Sequence, residues 1–248
     1  MPPTLRKVRL TMTASTVSPV VLFLPAHDEE PTVGTVVARA PAAVRGHPVV
    51  VVVVDDGSTD GTARAAAAAG AQVRSHGANR GLGAAVRTGL ALGAELDAVA
   101  VAFCDADGEY APEELERLVG PVLDGRADYV VGSRFTGSIG RMLPHRRLGN
   151  RLLTLGLRVV ARQPITDGQS GYRALSARAA ATCQIAHDYN YAQVLTLDVL
   201  ARGFRYEEVP ITYSFRHGGR SFVRLGRYLG AVVPAVWRVV QASPAAAV

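Results

Sequence analysis

The chain has 248 residues, 48% of them hydrophobic, and a formal net charge of +6 at pH 7. That length fits a single α/β domain with a sizeable core. Nearly all the basic side chains are Arg. Their excess reads either as a solvated surface or as attraction to phosphate-bearing ligands or an anionic membrane face. Specific nucleic-acid recognition is excluded as an expectation, because no groove-reading or RNA-binding signature is present.

Cys104 and Cys183 lie far apart without metal-type spacing, which predicts two buried thiols in a reducing cytoplasm. Residues 1–18 carry no long apolar core and read as a flexible leader, not a signal peptide. No run reaches the roughly 18 to 20 apolar residues of a membrane span. The expected location is cytoplasmic, with any attachment to the inner membrane face peripheral.

The first apolar run, Val20 to Leu24, ends in Pro25 and predicts a buried strand. Thr32 to Ala40 follows as a helix. Val49 to Val54 is a stronger strand, filled with β-branched residues and stopped by Asp55-Asp56-Gly57. Helices are expected over Gly61 to Ala69, with Thr59 and Asp60 placed to cap it, and over Ala84 to Ala94. Val99 to Cys104 is a third strand, stopped by Asp105. Pro112 to Leu123 is a helix, and Tyr129 to Val131 is a fourth strand, stopped by Gly132. Strands alternating with helices imply a doubly wound, mostly parallel sheet in a three-layer α/β/α arrangement. Ligands bind such sheets beyond the carboxyl ends of the strands.

The second half reads differently. A basic loop, Gly137 to Arg147, leads to a helix over Leu148 to Ala161. Gly168 to Leu175 reads as a short strand or a turn. A helix over Ala192 to Arg202 precedes a strand over Tyr206 to Tyr213. Phe215 to Ser221 is a Gly- and Arg-rich loop, and Leu225 to Val240 a helix kinked at Pro234. The division is a leader over 1–18, one domain over 19–224, and an amphipathic helix and tail over 225–248. From Arg224 onward, Arg224, Arg227 and Arg238 interleave with Leu225, Tyr228, Leu229 and Trp237. The pattern admits either a membrane-interface helix or one packed on the sheet.

Chemistry concentrates in three segments. Asp105-Ala106-Asp107-Gly108-Glu109 puts three carboxylates at alternate positions after a buried strand, where side chains share one face. Such oxygens converge on a hard cation, Mg2+ or Mn2+; the same residues also make an acidic loop capping the Pro112 helix. Val54-Asp55-Asp56-Gly57-Ser58 places carboxylates at a strand end, to meet a base or ribose or to start a helix. Asn79-Arg80-Gly81-Leu82-Gly83 offers close backbone approach at a helix N-terminus, which suits anions, or simply a turn; it lacks both the Walker and the dinucleotide spacing. Gly132-Ser133-Arg134 and His145-Arg146-Arg147 add positive charge suited to phosphate oxygens, or a solvated basic surface.

In this order the segments resemble family 2 glycosyltransferases of the GT-A fold, nearest to dolichyl- or polyprenyl-phosphate hexose synthases. Arg146-Arg147-Leu148-Gly149-Asn150, Asp167-Gly168-Gln169-Ser170-Gly171-Tyr172-Arg173 and Val209-Pro210-Ile211 extend the likeness to about Phe222. The resemblance implies that Pro25, Ala26 and Glu29 line the base and ribose pocket, with Asp55 or Asp56 and with Gly81. It implies that Asp105, Asp107 and Glu109 hold the cation beside Ala106. Arg134, Arg146 and Arg216 then meet the donor diphosphate or the acceptor phosphate. Asn150, Ser170, Gly171 and Ser221 fall on the acceptor side. His27-Asp28, Glu109, Asn150 and Asp188 to Gln193 depart from the family pattern.

The implied reaction is an inverting hexosyl transfer from a nucleotide sugar of the GDP-mannose or UDP-glucose type to a polyprenyl phosphate. A phosphate acceptor is ionised near neutral pH and needs little help from a base. An alcohol acceptor requires a carboxylate base, with Asp167 and Asp188 as the candidates. The alternatives are a non-lipid acceptor or a non-catalytic nucleotide-sugar-binding subunit. Oligomeric state is not legible.

Overall fold

The computed structural model describes residues 17–185, Asp188 and residues 191–214. Residues 1–16 of the expected leader, the segment carrying Arg216 and Ser221, and the helix expected over Leu225 to Val240 lie outside the described residues.

Strand β1 (Val20–Ala26) is buried along its whole length, which is why its sequence reads as an unbroken apolar run. Its side chains alternate between two cores. Val20, Leu22 and Leu24 join Val33, Leu115 and Leu118 on one face. Val21 and Phe23 join Val86, Leu90 and Leu195 on the other. Helices α1 (Glu30–Ala38), α2 (Thr62–Ala68) and α4 (Leu115–Leu123) supply the first face or pack beside it. Helices α3 (Leu82–Glu95), α6 (Ala177–Thr182) and α7 (Ala192–Ala201) supply the second. The architecture is therefore the expected three-layer α/β/α sandwich.

Strand β3 (His47–Asp55) pairs in parallel with β1, and β1 with β5 (Ala100–Phe103). β7 (Arg173–Ser176) runs antiparallel to both β5 and β6 (Tyr129–Ile139), and β8 (Tyr206–Tyr213) runs parallel to β6. The sheet is thus mixed but mostly parallel. Two short strands escape the sequence reading. β2 (Ala43–Val44) forms a hairpin with the start of β3, and β4 (Gln72–Ser75) pairs with its end. Neither carries an apolar run; both exist because β3 offers them an edge.

The region after Tyr129 departs most from expectation. β6 continues to Ile139 through a register shift between Ser133 and Ser138, where it pairs again with Thr212 and Tyr213 of β8. The sequence there is polar, so only pairing reveals the strand. Gly137 permits it, since a Cβ at that position would lie 2.1 Å from the Ile211 carbonyl oxygen. The expected basic loop shrinks accordingly, and α5 (Pro144–Ala161) begins at a proline that suits a first helical turn. Cys104 is buried and Cys183 half-buried, both as free thiols. Among the described residues no helix is long and apolar enough to cross a membrane.

Candidate active site

Because β1, β3 and β5 are parallel neighbours, Ala26, Asp55 and Phe103 all leave the sheet at one edge. A cavity of about 530 Å³ opens there. One wall comes from the nucleotide-side residues expected from sequence: Pro25 and Ala26 at the end of β1, Glu29 just beyond it, Asp56 after β3, and Gly81 at the start of α3. Asp105, Ala106 and Asp107 follow β5 into the same space. The opposite wall carries Asn150 from α5, Gly171 from the turn before β7, and Tyr191 and Ala192 at the start of α7.

The adjacent carboxylates at the end of β3 have different jobs. Asp55 turns away from the cavity: it accepts the Ser58 N–H at 3.0 Å and the Ser75 hydroxyl at 3.0 Å, tying β3 to β4. Asp56 faces the cavity and holds the glycine loop. It accepts the Arg80 N–H at 3.0 Å and the Gly81 N–H at 2.7 Å, with His76 Nδ1 2.6 Å away. Gly81 has φ +93°, and a Cβ there would sit 2.8 Å from the Asp188 carbonyl oxygen. Asp188 O in turn accepts the Gly83 N–H at 2.8 Å. The loop expected to approach a ligand is thus held against the second half of the chain.

The acidic segment after β5 is crowded with negative charge. Burial, then Asp107 and Glu109, push the Asp105 carboxyl up to about 8; Glu29 adds to this and Arg134 opposes it. Asp107 accepts the Glu109 N–H at 3.0 Å, which folds the segment into a tight turn. Glu109 lies off the cavity wall, 3.6 Å from Arg146, and hydrogen-bonds Tyr213. Its carboxyl is also raised, first by burial and then by Asp107.

Among the described residues no three acidic, His or Cys side chains form a ready-made metal cage. The donor set still fits a hard cation. Mg2+ characteristically takes one or two carboxylates and completes its shell with substrate phosphates and water. Asp105 and Asp107 present such oxygens on a cavity wall, and burial with the neighbouring carboxylates penalises the Asp105 charge there. Glu109, the third residue expected at the cation, faces Arg146 at 3.6 Å.

Arg134, expected at a phosphate, and Asp167, a candidate base, are found paired with each other. The guanidinium makes two bonds to the Asp167 carboxylate, at 2.7 and 2.8 Å, and stacks 5.3 Å over the Tyr213 ring. Arg134 is 5% exposed and Asp167 fully buried. Burial works against the Arg134 charge, but Tyr110 and Asp167 outweigh it and raise its pKa. The pair braces β6 against the turn before β7 and lies away from the cavity wall. Ser170 is buried too, its hydroxyl accepting the Tyr172 N–H at 3.3 Å. Gly171 does reach the site: its N–H donates to the Tyr110 hydroxyl at 2.7 Å, and a Cβ would come within 2.5 Å of Asp105 Oδ2. Arg173, fully buried, fixes this turn by donating to the Ser170 and Gly168 carbonyls at 2.8 and 3.1 Å.

Leu82 and Ala85, at the glycine-loop segment singled out from sequence, give the cavity an apolar lining together with Leu153, which sequence reasoning missed. Leu153 was recoverable, since it follows Asn150 by three residues on one helix face.

A model of the family described as "Glycosyl transferase family 2" matches residues 21–183. Polyprenol monophosphomannose synthase of Mycolicibacterium smegmatis is 33% identical over 213 residues, covering 81% of this chain and 79% of that protein. An uncharacterised glycosyltransferase of Mycobacterium tuberculosis is 33% identical over 224 residues, covering 89% of this chain and 97% of its own. Among solved structures, glucosyl-3-phosphoglycerate synthase of M. tuberculosis with Mn2+, UDP and glucosyl-3-phosphoglycerate superposes with TM-score 0.73 at 25% identity. That match covers 90% of this chain and 80% of the other. The same enzyme has also been crystallised with Mg2+ and UDP. With the family model spanning the sheet edge that carries Asp56, Asp105 and Asp107, the chain belongs to glycosyl transferase family 2 and is a glycosyltransferase of the GT-A fold.

Proposed function

We propose that the chain moves a hexose from a nucleoside-diphosphate sugar to the phosphate of a polyprenyl-type lipid, at the inner face of the membrane. The observation that carries this reading is the pair Asp105 and Asp107 on the cavity wall directly after β5. They would hold Mg2+ or Mn2+, which would neutralise charge developing on the departing diphosphate. Pro25, Ala26, Glu29 and Asp56 would enclose the nucleoside, and Asp56 keeps the Gly81 loop in place to do so.

In the proposed step the acceptor oxygen attacks the anomeric carbon as the bond to the diphosphate breaks, in one displacement with inversion. The nucleoside diphosphate leaves with the bonding electrons. An acceptor already ionised suits this site. Asp167, one of the two candidate bases, is fully buried and committed to Arg134. The other, Asp188, is ion-paired with Arg87. Positioning and electrostatics then supply the rate. The lipid acceptor is supported by the polyprenol-phosphate relative. A second reading, a small phosphorylated acid as acceptor, is supported by the phosphoglycerate-bound neighbour. Intact strand-end carboxylates speak against a non-catalytic subunit.

Purified protein with Mn2+ is to be given GDP- and UDP-sugars, each with a polyprenyl phosphate or 3-phosphoglycerate. Sugar transfer to the lipid phosphate is expected. Transfer to 3-phosphoglycerate alone selects the second reading, and no transfer to either overturns both.

A further inference from the structure

Five of the seven exposed large apolar side chains among the described residues lie on α5. Leu148, Leu152, Leu155 and Val159 are 61, 60, 55 and 72% exposed. Their spacing of four, three and four residues aligns them on one face, given about 100° of turn per residue. The opposite face is occupied. Asn150 and Leu153 line the cavity, and Thr154 and Leu157 are buried. Arg147, Arg151 and Arg158, four and seven residues apart, form a row along one flank of the apolar stripe, and all three are exposed.

The charge around this stripe has a single sign. From Tyr129 to Thr166 the sequence holds seven Arg and no Asp or Glu. Pairing α5 with the same helix of a second copy would set unanswered Arg rows close together. An anionic surface instead answers every one of them while its acyl region takes the leucines, the arrangement of an interfacial amphipathic helix.

We infer that α5 is a docking surface for an anionic lipid bilayer, with Leu148, Leu152, Leu155 and Val159 entering the interface and Arg147, Arg151 and Arg158 meeting lipid phosphates. The surface is separate from the tail helix expected over 225–248. Docking here turns the side chains of Asn150 and Leu153, and with them the cavity wall, away from the bilayer plane by half a helical turn. The cavity walled by Asn150 and Leu153 thus lies across α5 from the lipid surface.

The test uses the full-length protein and vesicles of phosphatidylglycerol and phosphatidylcholine in equal parts, against pure phosphatidylcholine. Co-flotation with the anionic vesicles only is expected. Leu148→Gln/Leu152→Gln/Leu155→Gln and Arg147→Gln/Arg151→Gln/Arg158→Gln should each weaken partitioning on the order of 100-fold. Because the replaced side chains are exposed, Tm and the thermal shift with UDP or GDP should stay unchanged in both variants. That nucleotide control separates a failed surface from a failed reading of the donor site. Absence of flotation overturns the inference, as does flotation that survives either triple substitution. A fall in Tm with flotation intact assigns the stripe to the chain's own tail and overturns it too. Loss of a dimer in the leucine variant, with no lipid binding by the parent, assigns it to a second copy.

Discussion

Replacing Asp105 with Asn should make the cation-free protein more stable. The carboxyl ionises near 3.8 in an unfolded chain but is pushed up to about 8 in the fold. For an acid raised in this way the sign is a penalty. It is absent below pH 3.8, grows as pH rises toward 8, and is constant above that. At pH 7 the linkage gives a ceiling of roughly 4 kcal/mol. The Glu109 carboxyl is raised as well, so the repulsion is shared and the gain from Asp105→Asn falls between roughly 1 and 4 kcal/mol. In a domain of this size that is on the order of 10 °C in Tm at the upper end. Urea unfolding in EDTA at pH 4, 7 and 8.5 measures the difference, which should be near zero at pH 4 and full at pH 8.5. Adding Mn2+ with UDP should then stabilise the parent and leave the variant unmoved. A variant no more stable than the parent at pH 8.5 would refute the claim that an uncompensated negative cluster waits here for a cation.

Asp107→Ala should abolish transfer while shifting Tm by only a few degrees, and undiminished transfer in that variant would remove Asp107 from the cation site. Asp167→Asn leaves the Arg134 charge buried without its partner, at a cost of roughly 3 to 5 kcal/mol. Its Tm should fall while the KM for donor in the protein still folded stays within a few-fold; a raised KM at constant Tm would instead return Arg134 to the phosphate. Gly81→Ala forces a side chain into positive φ against the Asp188 carbonyl, so nucleotide binding read by thermal shift should weaken by about tenfold.

The parallel half of the fold was legible because burial on both faces writes strands as continuous apolar runs. β1 and β5 needed nothing from their neighbours to be recognised, and Asp55 and Asp105 punctuated them. β4 and the far end of β6 were not legible. Gln72–Ser75 and Phe135–Ile139 are polar enough to pass for loop, and each is a strand only because β3 or β8 lies alongside with free backbone groups. Pairing is a property of two segments at once, so a reading that takes one segment at a time misses it.

The candidate site shows the same division more sharply. Residue type and order put Asp56, Asp105 and Asp107 at one edge, the resemblance added Asn150 and Gly171, and all five line the cavity. Type and order did not separate Asp55 from Asp56, although one closes a strand pair and the other holds the glycine loop. Nor did they separate Arg134 from Arg146. Both are arginines near strand ends, but Asp167 reaches one with a bidentate grip inside the core, while the other stands 3.6 Å from Glu109 and is partly exposed. Of the two, Arg146 keeps a partly exposed charge and Arg134 does not. A sequence motif names the charges available to a site; whether a charge is free to act depends on its partner, and that partner here lies 33 residues away along the chain.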